Sequence, residues 1–440
     1  MKKVGYFKTW MLYNKQVFTN KSSPMKKHLI LILSSLFLLS INLVSCSKSE
    51  SNDSRPIVDN GSISITANKT SILADGKDEI TFTVKDNNSK DITTESKIYV
   101  NGEAISGNTY TSKTKGEFTV KAVNLNRETS IKILVRHYTA KLYISSNRTS
   151  SFSSGSEQFE FKALDTKLNN VTSDTKFYVD DQLIDGHTFS SSTNGKHKVR
   201  AEYSEIKSAD LLVGVNMSPR NVLVEDYTAT WCGYCPESMY HLEELKSKTS
   251  ANMVISAIHG SDEFQYSKIE SLFSTFNITG YPTKIANRNI AQAINENDLI
   301  SLVDESCHIG IKSTIQLDGN NAKIDVTLES YQTFTDIKLV VALCDNNQLA
   351  DQSNYYNDEA SSAFYKAGEK MKDFQHNYIL RKTLTDLYGD AIPNDKLIQG
   401  TSYKLSFTTD VSKYNKAHLS AIAFLFKNGE VINVLSVDNL

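Results

Sequence analysis

Two stretches of this sequence are copies of each other, displaced by 79 residues. Thr93-Thr94-Glu95-Ser96-Lys97-Ile98-Tyr99-Val100 parallels Thr172-Ser173-Asp174-Thr175-Lys176-Phe177-Tyr178-Val179. The same displacement carries Asn68-Lys69-Thr70-Ser71 onto Asn147-Arg148-Thr149-Ser150, Gly107 onto Gly186 and Gly116 onto Gly195. Similarity at a long fixed offset means tandem copies of one structural unit. Each copy reads as short strands. Glu79–Val84 and Glu117–Ala122 alternate polar and apolar residues, which sets one face on a core and the other in water. Asp86-Asn87-Asn88 and Asn101-Gly102 supply turns. Several short strands in so little chain give a β-sandwich, and the copies are placed at 61–137 and 138–214.

The 440 residues leave room for one or two further domains. Tyr (21) and Phe (19) far outnumber Trp (2) and Pro (6), which favours strands. With 48 basic against 50 acidic side chains there is no electrostatic case for nucleic acid as a partner. Ala74-Asp75-Gly76-Lys77-Asp78, followed by the Glu79–Val84 strand, resembles the bacterial immunoglobulin-like repeats of surface proteins. That resemblance implies either adhesion or a stalk that lifts the next domain from a membrane.

Lys26-Lys27-His28 precede an apolar run, Leu29–Val44, that ends in Leu43-Val44-Ser45-Cys46. A basic start, a short apolar stretch and small residues before a cleavage point make a secretory signal, and the run is too short to span a bilayer. Leu-Val-Ser-Cys resembles the bacterial lipobox, which implies lipidation of Cys46 and a membrane partner through that anchor. Translation is expected to start at Met25, because residues 1–24 add no targeting feature. Residues 1–46 are thus an extra N-terminus with a lipoprotein signal peptide, and 47–60 a polar tether.

Cys232-Gly233-Tyr234-Cys235 follows a β-prone stretch, Asn221–Tyr227, and precedes a helical pattern, Glu237–Lys246, with Met239, Leu242 and Leu245 on one face. The pair therefore ends a strand and opens a helix. The N–H groups and dipole of a helix N-terminus favour a thiolate, the reactive form of cysteine. Cys232 is the attacking sulfur and Cys235, one turn inward, the resolving one. Trp231 precedes the first cysteine, Asp226 lies six residues before it, and Gly280-Tyr281-Pro282-Thr283 follows further on. Together these resemble thioredoxins. The resemblance implies that Pro282 is cis and packs beside Cys232, and that Asp226 assists proton transfer at Cys235. Glu225, on the opposite side of the strand, is the alternative inward acid. A structural disulfide without turnover stays open as the competing reading. A zinc site lacks ligands, since His241 has no second pair to join. His259 is either a base near the thiols or a loop histidine held by its neighbours. The domain is placed at 215–306.

From 307 to 440 the β pattern returns. Strands are expected at Ile309–Leu317, Ala322–Leu328, Ile337–Cys344, Tyr403–Thr409, Leu419–Phe426 and Val431–Ser436, a further β-sandwich. Residues 345–402 are an irregular insertion with a helical stretch near Ser362–Met371. Val224-Glu225-Asp226-Tyr227-Thr228-Ala229-Thr230-Trp231-Cys232-Gly233-Tyr234-Cys235-Pro236, with Phe374-Gln375-His376-Asn377-Tyr378-Ile379-Leu380-Arg381 about 140 residues later, resembles the 28-kDa outer membrane protein (Omp) family of Bacteroidetes lipoproteins. The resemblance covers residues 215–440 and implies an outer membrane lipoprotein, facing the periplasm or the cell surface. His376 and Arg381 are ligand contacts or sandwich supports. Cys307 and Cys344 either pair or remain buried thiols.

The expected fold class is therefore multidomain: two all-β immunoglobulin-like sandwiches, an α/β thioredoxin-like domain and a C-terminal β-sandwich. The leading function is thiol–disulfide exchange with a protein thiol or disulfide substrate, through Cys232 and Cys235 with Asp226, Trp231 and Pro282. The alternatives are a surface binding lipoprotein stapled by that disulfide, and an adhesin. No cofactor and no metal is expected, since dithiol chemistry needs neither.

Overall fold

Alternation in the two repeats becomes two layers of strands in each. In the first, Ile63–Ala67, Ile80–Asp86 and Thr109–Tyr110 form one sheet, and Ser71–Leu73, Arg127–Arg136, Gly116–Asn124, Lys97–Val100 and Glu103–Ala104 form the other. Phe82, Ile98 and Val120 fill the space between them, and Phe161, Phe177 and Val199 occupy the equivalent places in the second repeat. The Asn101-Gly102 turn has both residues at positive φ, which matches the twist of the strands it joins. Asp180-Asp181 adopts the same conformation in the second copy. This computed structural model describes residues 61–289, 294 and 296–438. Cys46, the signal peptide, the tether and the Met25 start lie outside the described residues.

The rest of the chain is organised by one sheet. Numbering restarts after the repeats: β1 is Val222–Thr228, α1 Cys235–Thr249, β2 Met253–His259, α2 Ile269–Phe276, β3 Thr283–Ala286 and α3 Glu296–Asp304. Then come β4 Ile309–Asp318, β5 Asn321–Ser330, β6 Lys338–Asp345, β7 Gln348–Ser353, β8 Lys370–His376, β9 Ile379–Thr383, β10 Thr401–Asp410, β11 Leu419–Lys427 and β12 Glu430–Asp438. The sheet runs β3-β1-β2-β9-β6-β11-β12. Its first part is mixed, with β1 parallel to β2 and antiparallel to β3. Its second part is antiparallel. Strands from both sides of residue 307 thus share one hydrogen-bonded ladder, joined where Ala257 pairs with Ile379.

Both faces of that sheet are covered, which explains why β6 and β11 are apolar almost throughout rather than alternating. On one face Leu339, Val341, Leu343, Ala421, Ala423 and Leu425 pack against a three-stranded sheet, β4-β5-β10. On the other, Val340, Ala342, Cys344, Ile422 and Phe424 join Tyr227, Ile258 and the inner side of α2. That helix buries Ile269, Leu272 and Phe276, spaced three and four apart along one stripe. Burying Leu272 alone is worth about 2 kcal/mol. Asn277 at positive φ ends the helix, its N–H bonding back to Phe273. The protein is mostly β, with three α-helices among the described residues.

The repeats pack onto this body. Arg148, fully buried, reaches from the second repeat to Glu329 on β5 and to Glu157, 2.8 Å away. Thr149 N–H donates to Ile311 of β4, and Ser313 N–H donates to Asn147. The first repeat meets the body through Tyr240 and His137, whose hydroxyl and Nε2 lie 3.0 Å apart, and through Lys366 and Glu117.

One expectation is corrected. No helix forms near Ser362–Met371. Turns occupy 355–367, and Met371 already lies in β8, which pairs with β7 in a hairpin. Asn354 Nδ2 donates to both the Phe364 and Gly368 carbonyls, at 3.0 Å each, and these bonds hold the loop in turns.

Candidate active site

The chain leaves β1 through Ala229-Thr230-Trp231 and turns tightly into α1. Cys232 N–H donates to Ala229 and Cys235 N–H to Cys232, so both cysteines are drawn into one turn. Their sulfurs are joined in a disulfide, with Cα atoms 5.4 Å apart. Pro236 occupies the first turn of α1, where a missing N–H costs nothing. Glu237 sits in the same first turn and Lys246 and Lys248 in the last, all aligned with the helix dipole. Cys235 is fully buried and Cys232 is 5% exposed.

Asp226 lies on β1 and is buried, opposite Lys284 of β3. Burial pushes its carboxyl up to about 7, with Lys284 pulling only part of the way back. One carboxyl oxygen, Oδ1, has no hydrogen-bond partner among the described residues. Glu225, the alternative acid, faces the other way and is committed to Arg288 at 3.0 Å. Arg288 in turn donates to the Leu387 carbonyl and lies 4.9 Å from the centroid of the Phe424 ring. Glu225 is thereby held as an ion-pair partner.

Trp231 stays half exposed. Its Nε1 donates to the Gly260 carbonyl at 3.2 Å, and its ring meets Tyr281 edge-on at 5.4 Å. The Tyr281–Pro282 peptide is cis. Tyr281 packs on the Ala229, Cys232 and Cys235 cluster, while Pro282 lines an open cleft with Tyr234, His241, Lys284 and Tyr356. Asp226 thus lies within β1, Trp231 and Cys232 in the turn that follows it, Cys235 at the first position of α1, and Pro282 directly before β3, the strand that pairs with β1.

His259 is buried at the end of β2. Its Nδ1 lies 2.7 Å from Asp262, which also accepts from the Thr230 N–H at 2.8 Å. The pair fixes the loop in front of Cys232. His376 is buried beside it, rings 5.4 Å apart, and burial pushes its imidazole down to about 3, so it stays neutral. Arg381 pairs with Asp345 at 3.2 Å and lies over Phe264. His241 is exposed on α1 near Glu237. Cys307 and Cys344 are free buried thiols in different cores.

Residues missed by sequence reading lie in the β7–β8 hairpin. Gln352 Nε2 donates to the Cys232 carbonyl at 2.9 Å and to that of Ala229 at 3.3 Å. Ser353 N–H donates to Thr230, and Tyr355 N–H to Gly233. The Tyr355 ring lies on Gly233 so closely that a Cβ there would fall 2.3 Å from it. That contact explains the glycine in the motif. Nothing local in the sequence ties residue 352 to residue 232; the pairing is purely tertiary.

The family model for outer membrane protein Omp28 matches residues 269–439, a span that takes in the β7–β8 hairpin and the second half of the large sheet but not the two cysteines. Among solved structures, HBP35 of Porphyromonas gingivalis is similar at 17% identity, over 50% of this chain and 75% of that one, with a TM-score of 0.40. The fibronectin(III)-like modules of Clostridium thermocellum CbhA match at 18% identity over 34% of this chain and 93% of theirs, with a TM-score of 0.15. The D0–D1 domain of intimin matches at 18% over 34% and 97%, also with a TM-score of 0.15. No curated protein matches the sequence.

Proposed function

We propose that this chain is an outer membrane lipoprotein, anchored through Cys46, whose thioredoxin-like portion carries out thiol–disulfide exchange at Cys232 and Cys235. The observation that carries the reading is the disulfide at the opening of α1 with the buried Asp226, its carboxyl at about 7, on the preceding strand. A protein thiolate attacks Cys232 Sγ, the Cys232–Cys235 bond breaks, and Cys235 leaves as a thiolate. Asp226, buried on the preceding strand and protonated below about 7, serves in this reading as the proton donor to that thiolate. A second substrate thiolate then attacks the mixed disulfide and releases Cys232. Two electrons pass from the substrate dithiol to the cysteine pair, and the reverse sequence reduces a substrate disulfide. The immunoglobulin-like repeats serve as the support between anchor and site.

A second reading, a binding lipoprotein in which the disulfide is a staple, draws on one observation: Cys232 is 5% exposed. Expressing Cys235→Ser in cells separates the two. Exchange requires Cys232-dependent adducts with other proteins that a reductant dissolves. A variant free of adducts supports the staple.

A further inference from the structure

The most unusual neighbour of the disulfide is the β7–β8 hairpin and its connecting loop. It arrives from about 120 residues away and docks across the turn that holds both cysteines. Gln352, Ser353 and Tyr355 make four hydrogen bonds to the carbonyls of Ala229, Thr230, Cys232 and Gly233. Tyr355 covers Gly233 and meets Tyr234 edge-on at 5.0 Å, and Tyr356 meets Tyr234 at 5.9 Å. Further along, Ser362 Oγ donates to Glu237 of α1 at 2.6 Å. The far end of the loop then leaves the site and reaches the first repeat, where Lys366 Nζ lies 2.9 Å from Glu117. Glu117 is held in place on that repeat by Lys132 as well.

These contacts differ in kind along the loop. At the root, Gln352 is fully buried. Over Gly233 and Tyr234, the two residues between the cysteines, the cover is the Tyr355 ring, 66% exposed and held by an edge contact. At the tip it is a solvent-accessible ion pair, which salt screens. Between the exposed ring and the tip, Ser362 is buried against Glu237, so lifting the segment also breaks that one hydrogen bond, while the core beneath it stays folded.

We propose that residues 354–369 form a gate over the Cys232–Cys235 disulfide, closed by Tyr355 on Gly233 and latched to the first repeat by Lys366 and Glu117. The proposal rests on the exchange reading for its biological use, but concerns access alone. With the gate down, the Cys232 sulfur is shielded from an incoming thiolate. With it raised, the same sulfur opens onto the exposed aromatic surface of Trp231 and Tyr234. The latch gives the first repeat a role beyond spacing, because displacing that repeat loosens the cover.

The test is the rate at which the oxidised full chain, in detergent, is reduced by dithiothreitol. That small dithiol gives two electrons to the cysteine pair and becomes its own cyclic disulfide. The new thiols of Cys232 and Cys235 are trapped by alkylation at timed intervals and read by peptide mass. Tyr355→Ala is expected to speed reduction roughly three- to tenfold, the worth of an aromatic contact. Glu117→Gln, on a different part of the molecule, is expected to speed it less, and added salt to speed the wild type but not that variant. Gly233→Ala checks the same contact from the other side, by pushing the ring away. Tyr355 and Glu117 are not core residues, so these variants keep the fold. Rates equal to the wild type in Tyr355→Ala and Glu117→Gln overturn the gate. The exchange reading fails independently, on a reduction potential in the staple range for Tyr355→Ala, whatever the rates.

Discussion

Asp226 makes the sharpest claim at the scale of single residues. Its carboxyl rises from 3.8 to about 7 because burial disfavours the charge. A carboxyl with a raised folded value binds a proton that the unfolded chain has already lost. Stability is therefore full below pH 3.8, falls as pH climbs to about 7, and levels above it. A shift of that size corresponds to roughly 4 kcal/mol. Asp226→Asn is expected to flatten this fall and to gain a few kcal/mol over the wild type at pH 8 while gaining little at pH 4, as read by urea unfolding. Two thiols give a second expectation. Burial pushes Cys307 up to about 11 and Cys344 up to about 12. Neither should react with an aromatic disulfide reagent at pH 8 in the folded protein, and both should react once it is unfolded without reductant. Loss of these two thiols on unfolding would mean that they are bridged.

Among elements, the junction between the second repeat and β5 is the point where a domain boundary became a core. Arg148, Glu157 and Glu329 lie together with Tyr331, whose hydroxyl is 3.0 Å from Glu329. Arg148→Ala would leave Glu329 buried and unpaired, which costs about 3–5 kcal/mol. Calorimetry on that variant should show a lowered transition for the whole described body rather than for one repeat. The repeat itself was legible from its 79-residue offset, and so were the strands β4, β5, β6, β10, β11 and β12, because alternation and hairpin signals such as Asp318-Gly319 are local. The hairpin that covers Cys232 was not legible. Its residues were read as irregular chain with a helical stretch because Ser362–Met371 has helix-forming composition, while the hydrogen bonds that shape it come from residues 229–237.

For the whole molecule, the four expected folded parts turn out to be coupled. Strands 222–286 and 338–438 share a sheet, the second repeat joins β5 through Arg148 and Glu329, and the first repeat reaches the loop beside the cysteines through Glu117 and Lys366. Period-two patterns report which face of a strand is buried, not which other strand lies beside it, so the ladder between Ala257 and Ile379 had no sequence signal. The C-x-x-C spacing and the Tyr281-Pro282 pair are local, so the Cys232–Cys235 disulfide and the cis peptide were legible in the sequence, whereas the roles of Asp226, Trp231 and Pro282 rest with the proposed function. Their chemistry is decided by one quantity, the reduction potential of Cys232–Cys235 in the full chain, measured by thiol trapping across glutathione buffers. A value between about −120 and −270 mV, the span of thioredoxin-fold catalysts, is the result expected for an exchanging pair. A value below about −300 mV belongs to structural disulfides and would contradict the account.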